Sequence, residues 1–145
     1  MIVYLDASAL VKRYVAEAGS AEVNALISGA SVVGTAAISR AEVSSALAKA
    51  VRMRLLSREE AVSALQVFNA EWESLIRLQL TEVLIYRAAN LAWEHGLRGY
   101  DAVHLAASLF WQDMLGDPVT LASYDRQLWD AAKATGLIAW PESLT

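Results

Sequence analysis

Apolar residues along this chain occur either in short continuous runs or with helical spacing. The first run, residues 1–5, is rich in strand-forming side chains and stops at Asp6, which is typical of a buried strand. Similar runs predict further strands at 31–36, 75–80, 118–123 and 137–140. The segments between them have helical spacing and predict helices from near Ser8 to a C-cap at Gly19 and over 20–28, 39–54, 58–73, 81–95, 99–114 and 125–134.

Strands and helices therefore alternate over the whole chain. This order is typical of βαβ units and predicts an α/β fold: a three-layer α/β/α arrangement around a mostly parallel, five-stranded sheet. Two local signals predict helix starts: Ser39 as an N-cap, and Ser57 with Glu60 as a capping box. The length of 145 residues, with no repeat or linker, predicts one domain over 1–145.

Composition and charge narrow the classes of function. The chain has no cysteine, which excludes disulfides and thiolate chemistry. A net charge of −4 argues against a passive nucleic-acid-binding protein, so any such role needs a local basic patch. No apolar run approaches the roughly 20 residues of a membrane helix, and the first residues lack the features of a signal peptide. We therefore expect no membrane association and a cytoplasmic location.

Acidic residues are placed where a parallel α/β sheet binds its ligands, beyond the carboxyl ends of the strands. Asp6 and Asp125 directly follow or lie just beyond predicted strands, and Glu42 and Asp101 lie in the first turns of helices. Each has an ordinary alternative as a helix-capping or helix-dipole residue. Packed together, however, carboxylates repel unless a cation joins them, and oxygen ligands of this kind favour Mg²⁺ or Mn²⁺ over zinc. Such a site is suited to the hydrolysis of phosphodiesters.

Four segments around these acids resemble, in order, the motifs of PIN-domain ribonucleases of the VapC toxin type. The segments are IVYLDASALVK at 2–12, SRAEVSSAL at 39–47, GYDAVHLA at 99–106 and LASYDRQL at 121–128. The resemblance implies a PIN-like fold and a Mg²⁺-dependent endoribonuclease, with Mn²⁺ as an alternative ion. It also implies the toxin of a toxin–antitoxin pair, usually a homodimer, which a small antitoxin protein holds inactive.

The resemblance also implies the roles of individual residues. It assigns metal binding and catalysis to Asp6, Glu42, Asp101 and Asp125, and hydrogen-bonding support of the site to Ser8 and Ser123. The family more often has Phe where this chain has Tyr124, and frequently Thr where it has Ser123. Neither difference removes a carboxylate.

Basic residues cluster locally despite the acidic total. The candidates for contacts with the RNA backbone are Lys12, Arg40, Lys49, Arg52 and Arg54. Such contacts position RNA without reading its sequence. The alternative is a solvated helix face. The apolar residues of the two helices over 39–73 likewise leave open a core, a homodimer face or an antitoxin groove.

Other residues and other functions leave further alternatives. His104 lies one helical turn after Asp101 and is either a structural histidine or a donor to the site, and the five tryptophans are interpreted as core or dimer contacts. A haloacid-dehalogenase phosphatase would have Asp rather than Ser8 two residues after Asp6. The remaining alternative is a catalytically inactive PIN-fold module that binds RNA or protein.

Overall fold

One parallel sheet flanked by helices forms the core of the computed structural model, which describes residues 1–145. The strands are β1 (Ile2–Leu5), β2 (Val32–Ala36), β3 (Ile76–Leu78), β4 (Val119–Ala122) and β5 (Ile138–Trp140). The helices are α1 (Ala7–Leu10), α2 (Ser20–Gly29), α3 (Ser39–Arg52), α4 (Arg58–Glu71), α5 (Glu82–His95), α6 (Gly99–Leu115) and α7 (Arg126–Ala134), with 3₁₀ turns at Val11–Arg13 and Trp72–Ser74. None of these helices combines the length and apolarity needed to cross a membrane.

The strand order is β3-β2-β1-β4-β5, and every neighbouring pair is parallel. The predicted fold class is confirmed, with a sheet that is wholly rather than mostly parallel. Because β1 and β4 are central neighbours, Leu5 pairs with Ala122, and the segments that follow both strands emerge side by side. Asp6 and Asp125 therefore start from the same edge of the sheet.

Side chains of β1 alternate between the two faces of the sheet, as expected for a strand buried on both sides. Tyr4 packs into the apolar core that includes residues of α5, α6 and α7. Val3 and Leu5 pack into a second core with residues of α1 to α4. The two cores account for the three layers predicted from the sequence.

Close packing of α6 against the sheet depends on Gly34 in β2. A Cβ atom at this position would lie 2.8 Å from the ring of Trp111 on α6, a contact that real side chains do not make. Ten residues of α6 are buried, including Asp101 and His104. The glycine thus allows a nearly buried helix to bring polar residues to the end of β1.

The helix predicted after β1 is wrong in its length. Regular helical structure ends at Arg13, and Gly19, with a φ of 91°, lies at the start of α2 instead of closing the earlier helix. The Ser20 hydroxyl accepts a hydrogen bond from the Glu17 backbone N–H (2.9 Å) and donates one to the Val15 carbonyl (2.7 Å). These local bonds compete with continuation of the helix.

The predicted cap at Ser39 is also wrong. α3 begins without a side-chain cap, and the Ser39 hydroxyl instead lies 2.6 Å from the Thr35 hydroxyl in the buried layer next to β2. The capping box of Ser57 and Glu60 is confirmed by reciprocal hydrogen bonds of 3.0 Å. Glu42 therefore has no capping role, and its carboxylate is available for other contacts.

Candidate active site

Asp6 lies directly beyond β1 and is buried, with 3% of its surface exposed. Its Oδ1 atom accepts hydrogen bonds from the Ser8 hydroxyl (2.7 Å) and the Ala9 backbone N–H (2.9 Å). Its Oδ2 atom accepts one from the Ser123 hydroxyl (2.6 Å). The first oxygen caps α1, so the ordinary capping alternative is correct for half of the carboxylate, while the second faces the segment that follows β4.

The two serines connect Asp6 to the segment after β4. The Ser8 hydroxyl accepts a hydrogen bond from the Tyr124 backbone N–H (2.9 Å), and the Ser123 hydroxyl accepts one from the Asp125 backbone N–H (3.0 Å). Each serine therefore donates to Asp6 and accepts from the neighbouring backbone. The result is a fixed carboxylate and a fixed start for α7.

Asp101 and Asp125 share a counter-ion, Arg98. The Nε atom of Arg98 lies 3.0 Å from Oδ2 of Asp101, and its Nη2 atom lies 2.6 Å from Oδ2 of Asp125. Oδ1 of Asp125 accepts the Leu128 backbone N–H and caps α7, which is the ordinary role anticipated for it. The Arg98 side chain is 55% exposed, so this ion-pair network is partly open to solvent.

Glu42, the fourth acid, binds a histidine instead of the arginine. Its Oε1 atom lies 2.6 Å from Nε2 of His104, and Nδ1 of His104 lies 2.7 Å from the hydroxyl of Tyr4. His104 and Tyr4 are both almost wholly buried, whereas the Glu42 side chain is 21% exposed. His104 thus connects the core to the carboxylate.

The acids perturb one another electrostatically. Burial raises the pKa of Asp6, and burial together with the charges of Asp125 and Asp6 raises the pKa of Asp101. Burial, with the charges of Asp6 and Glu42, raises the pKa of the Tyr4 hydroxyl well above its ordinary value of 10.0. Negative charge is therefore unfavourable in this region, which is the condition that favours a bound cation.

The donor set has the chemistry of a site for a hard divalent ion. All four acids offer carboxylate oxygens; Oδ1 of Asp101 and Oε2 of Glu42 accept no hydrogen bond from the protein, and Oδ2 of Asp6 accepts only that of Ser123. No three acidic or histidine side chains come together with the spacing of a complete metal-binding group. The residue types fit Mg²⁺ or Mn²⁺, with Arg98 holding two of the carboxylates.

A groove of about 530 Å³ opens beside Glu42. Ser8 and Ala7 of α1 form one side, and Lys49 and Ser45 of α3 form another. The remaining lining residues are mostly apolar: Val11, Ile38, Ala41, Ala46 and Tyr100. The groove therefore offers a surface next to Glu42 along which an extended polymer could bind.

The structure separates the basic residues that the sequence groups together. Only Lys49 lines the groove beside Glu42. Lys12 binds Glu17 and the Ala18 carbonyl, and Arg40 lies over the Trp72 ring. Arg52 lines a different groove, between α3 and α4, and Arg54 lies just beyond the end of α3. Their contacts with RNA remain predictions.

Sequence reasoning missed Arg98 and Tyr4. Arg98 lies three residues before Asp101, a spacing at which oppositely charged side chains pair on a helix, so a local signal for it existed. Tyr4 had no such signal, because an aromatic residue within a buried strand is an ordinary core residue. Its contact with His104 joins positions 100 residues apart.

Comparisons with known proteins identify the family of the chain and support its fold. The PIN domain family model matches residues 3–134. The chain is 37% identical over 144 residues to the ribonucleases VapC45 and VapC49 of Mycobacterium tuberculosis, covering 99% of this chain and 97% of each relative. It also resembles the crystal structure of VapBC2 from Rickettsia felis bound to a DNA fragment from their promoter. That match has a TM-score of 0.65 at 14% identity, covers 96% of this chain and 97% of that chain, and supports the fold.

Proposed function

This chain belongs to the PIN domain family, and from that premise we propose that it is a divalent-metal-dependent endoribonuclease that hydrolyses RNA phosphodiester bonds. The proposal includes Mg²⁺ as the ion used, with Mn²⁺ as a substitute. The observation that carries it is geometric: the Asp6 carboxylate is buried, with 3% of its surface exposed, and Arg98 joins the carboxylates of Asp101 and Asp125 at 3.0 and 2.6 Å. Ordinary helix capping requires neither the burial of Asp6 nor the proximity of the two acids.

The side chains of the site have distinct proposed roles. Asp6, Glu42, Asp101 and Asp125 would hold the ion, and the hydroxyls of the two serines that bind Asp6 and the following backbone keep its carboxylate oriented. When bound, the ion would make a water more acidic and stabilise negative charge on the phosphate.

Arg98 and Lys49 act on either side of the acids. Arg98 pairs with both Asp101 and Asp125, and its single positive charge offsets part of their negative charge. Lys49, on the wall of the groove beside Glu42, contacts an RNA phosphate. The other candidates for backbone contacts are Lys12, Arg40, Arg52 and Arg54, which would bind RNA farther along its path.

The biological setting proposed for the enzyme is that of a toxin. Its relatives are named as VapC ribonucleases, and VapBC2 shares the fold. We therefore propose a small antitoxin protein as its partner and the cytoplasm, where RNA substrates are available, as its location. We also propose a homodimer, because α5 exposes an apolar face formed by Val83, Tyr86 and Trp93.

Cleavage of RNA by the purified full-length chain tests the proposed function. Total RNA is incubated with the protein in Mg²⁺, in Mn²⁺ or in excess EDTA, and the new 5′ and 3′ ends are mapped. We expect discrete internal cuts that depend on the ion. Binding of RNA without new ends, by folded protein with either ion, would instead indicate the inactive binding module.

A further inference from the structure

The buried chain from Tyr4 through His104 to Glu42 has a defined direction. The Tyr4 hydroxyl lies 2.7 Å from Nδ1 of His104, and Nε2 on the other side of the ring lies 2.6 Å from Oε1 of Glu42. A hydroxyl has one hydrogen to donate. An ionised carboxylate only accepts, so Nε2 donates to Glu42, and Nδ1 of a neutral ring is the acceptor for the hydrogen of the buried Tyr4 hydroxyl.

The direction of this bond determines the tautomer of the imidazole. When Nδ1 accepts the tyrosine hydrogen, the ring hydrogen of a neutral histidine resides on Nε2. Nε2 lies 2.6 Å from Oε1 of Glu42, so it donates to the carboxylate. With a hydrogen on Nδ1 as well, the tyrosine hydrogen would lose its acceptor in a region with almost no solvent access.

We propose that His104 is a positioning residue for Glu42 and that Tyr4 holds it in the Nε2–H tautomer. His104 fixes Oε1, and Oε2, which accepts no hydrogen bond from the protein, remains available for an ion. This inference rests on the proposed function, since it concerns the same acids. It assigns a role to two buried polar side chains that neither the apolar core nor helix capping requires.

The elements that hold the three residues explain why the contact is rigid. Tyr4 belongs to the central strand β1, His104 to the buried face of α6, and Glu42 to the first turn of α3. Glu42 is the most exposed of the three, with a flexible side chain. Without a hydrogen-bond donor, the Glu42 carboxylate would sample several rotamers. Binding an ion would then cost the conformational entropy of fixing one rotamer, which lowers the affinity of the site for the ion. Loss of such a supporting hydrogen bond typically costs 10–100-fold in metal affinity or activity.

Nitrogen NMR of the metal-free, full-length chain tests the tautomer directly. The chain has two histidines, so His95→Gln assigns the signals of His104. For the neutral ring we expect the hydrogen on Nε2 and none on Nδ1, and loss of this preference in Tyr4→Phe. A protonated Nδ1 in the wild-type chain would overturn the proposal, whatever the chain does to RNA.

Mn²⁺ titration tests the effect on Glu42. We expect His104→Leu to weaken binding by about 10–100-fold and His104→Gln, whose amide retains a donor near the position of Nε2, to restore most of the affinity. In a Glu42→Gln background, His104→Leu should cause no further loss. Ser108→Ala is the matched control, because Ser108 is equally buried one turn farther along α6 and bonds only to backbone carbonyls.

The outcomes separate this proposal from the proposed function. Equal Mn²⁺ affinity of wild type, His104→Leu and Tyr4→Phe would overturn the positioning role, even in a chain that cleaves RNA. If His104→Leu does not fold, Tyr4→Phe, which removes one hydroxyl, decides in its place. A wild-type chain that shows the expected tautomer but neither binds Mn²⁺ nor cleaves RNA would contradict the proposed function and the role of His104 toward an ion.

Discussion

The Nη2 atom of Arg98 lies 2.6 Å from Oδ2 of Asp125. The same guanidinium donates to Asp101 through Nε, so a cation from the chain itself holds two of the four acids proposed to bind a metal ion. Arg98 and a divalent ion therefore compete for these carboxylates. The single charge of the guanidinium offsets only part of the negative charge of the two carboxylates, and an ion that binds through the oxygens held by Arg98 displaces it from at least one of them.

Replacing Arg98 by Gln should strengthen the binding of Mn²⁺, because the competing charge is removed while the acids remain. We expect a gain of roughly two- to fivefold, the range that exposed ion pairs support, measured by calorimetric titration. Arg87→Gln is the control, since Arg87 pairs with Asp113 at 2.9 Å between α5 and α6, in an ion pair that involves none of the four acids. Weaker binding by Arg98→Gln would show that Arg98 supports the ion instead of competing with it.

Asp101→Asn should stabilise the metal-free chain at pH 7. Burial and the charges of Asp125 and Asp6 raise the pKa of Asp101 above 3.8, so the folded state disfavours the ionised form. The resulting destabilisation is absent below pH 3.8, where the group is protonated in both states, and grows as the pH rises through the folded-state pKa. Thermal unfolding at several pH values should show the advantage of Asn at pH 7 and its loss in acid.

The exposed Asp113, which also pairs with an arginine, supplies the control for that experiment. Asp113→Asn should leave the midpoint unchanged or lower it slightly, because an exposed pair contributes little. Mn²⁺ should stabilise Asp101→Asn less than wild type, since stabilisation by a ligand follows its affinity. A marked loss of metal-free stability in Asp101→Asn would assign this acid a structural role.

Lys49→Ala should weaken RNA binding in a manner that depends on salt. Lys49 lies beside Glu42, and the net charge of −4 supplies no general attraction for RNA. In a catalytically inactive background, loss of one phosphate contact should reduce the slope of log affinity against log salt by about 0.7 for a single strand. The loss should be similar for unrelated RNAs, since phosphate contacts carry no base information.

Arg52→Ala distinguishes two paths for the RNA. Arg52 lines the groove between α3 and α4 instead of the one beside Glu42. A reduced slope in both variants would extend the path across α3, as predicted from the sequence cluster. An unchanged slope and affinity in both would show that these residues form a solvated face.

Trp93→Glu should dissociate the proposed homodimer. Trp93 is 91% exposed, and Val83 and Tyr86 are 77% and 73% exposed on the same helix, α5. Removing a tryptophan from the centre of an interface typically costs about 2 kcal/mol or more of association free energy. The dissociation constant of the dimer should therefore rise at least roughly 30-fold, which sedimentation equilibrium measures. Leu55→Glu, at an exposed apolar position between α3 and α4, should leave the dimer intact. A wild-type chain that sediments as a monomer would contradict this interface.

Much of the fold could be predicted because its signals are local. The run at 1–5 that ends in Asp6, and the reciprocal spacing of Ser57 and Glu60, depend on neighbouring residues alone. The prediction that Ser39 is an N-cap is wrong because its position in the sequence fits that role. Only the packing against β2 shows that the Ser39 hydroxyl contacts the Thr35 hydroxyl instead.

For the candidate site, the positions of the acids could be predicted from the sequence better than their hydrogen-bond partners. The action of the four acids as one metal site stays a prediction, but their convergence at one edge of the sheet could be predicted, because each follows a strand or lies in the first turn of a helix. The partners of those acids could not. The role of Tyr4 arises from a contact between β1 and α6, which no pattern of polarity in either segment encodes.

Cleavage of one mapped RNA by wild type and Asp101→Asn, in single turnover with saturating Mg²⁺, tests the central claim most directly. The substitution preserves the shape of the side chain but removes the charge that would hold the ion. We expect cleavage to fall by several orders of magnitude, since metal-stabilised charge contributes several kcal/mol to lowering the barrier, while folding and RNA binding remain intact. Cleavage by Asp101→Asn at a rate near that of wild type, or undiminished cleavage by wild type in excess EDTA, would contradict the account.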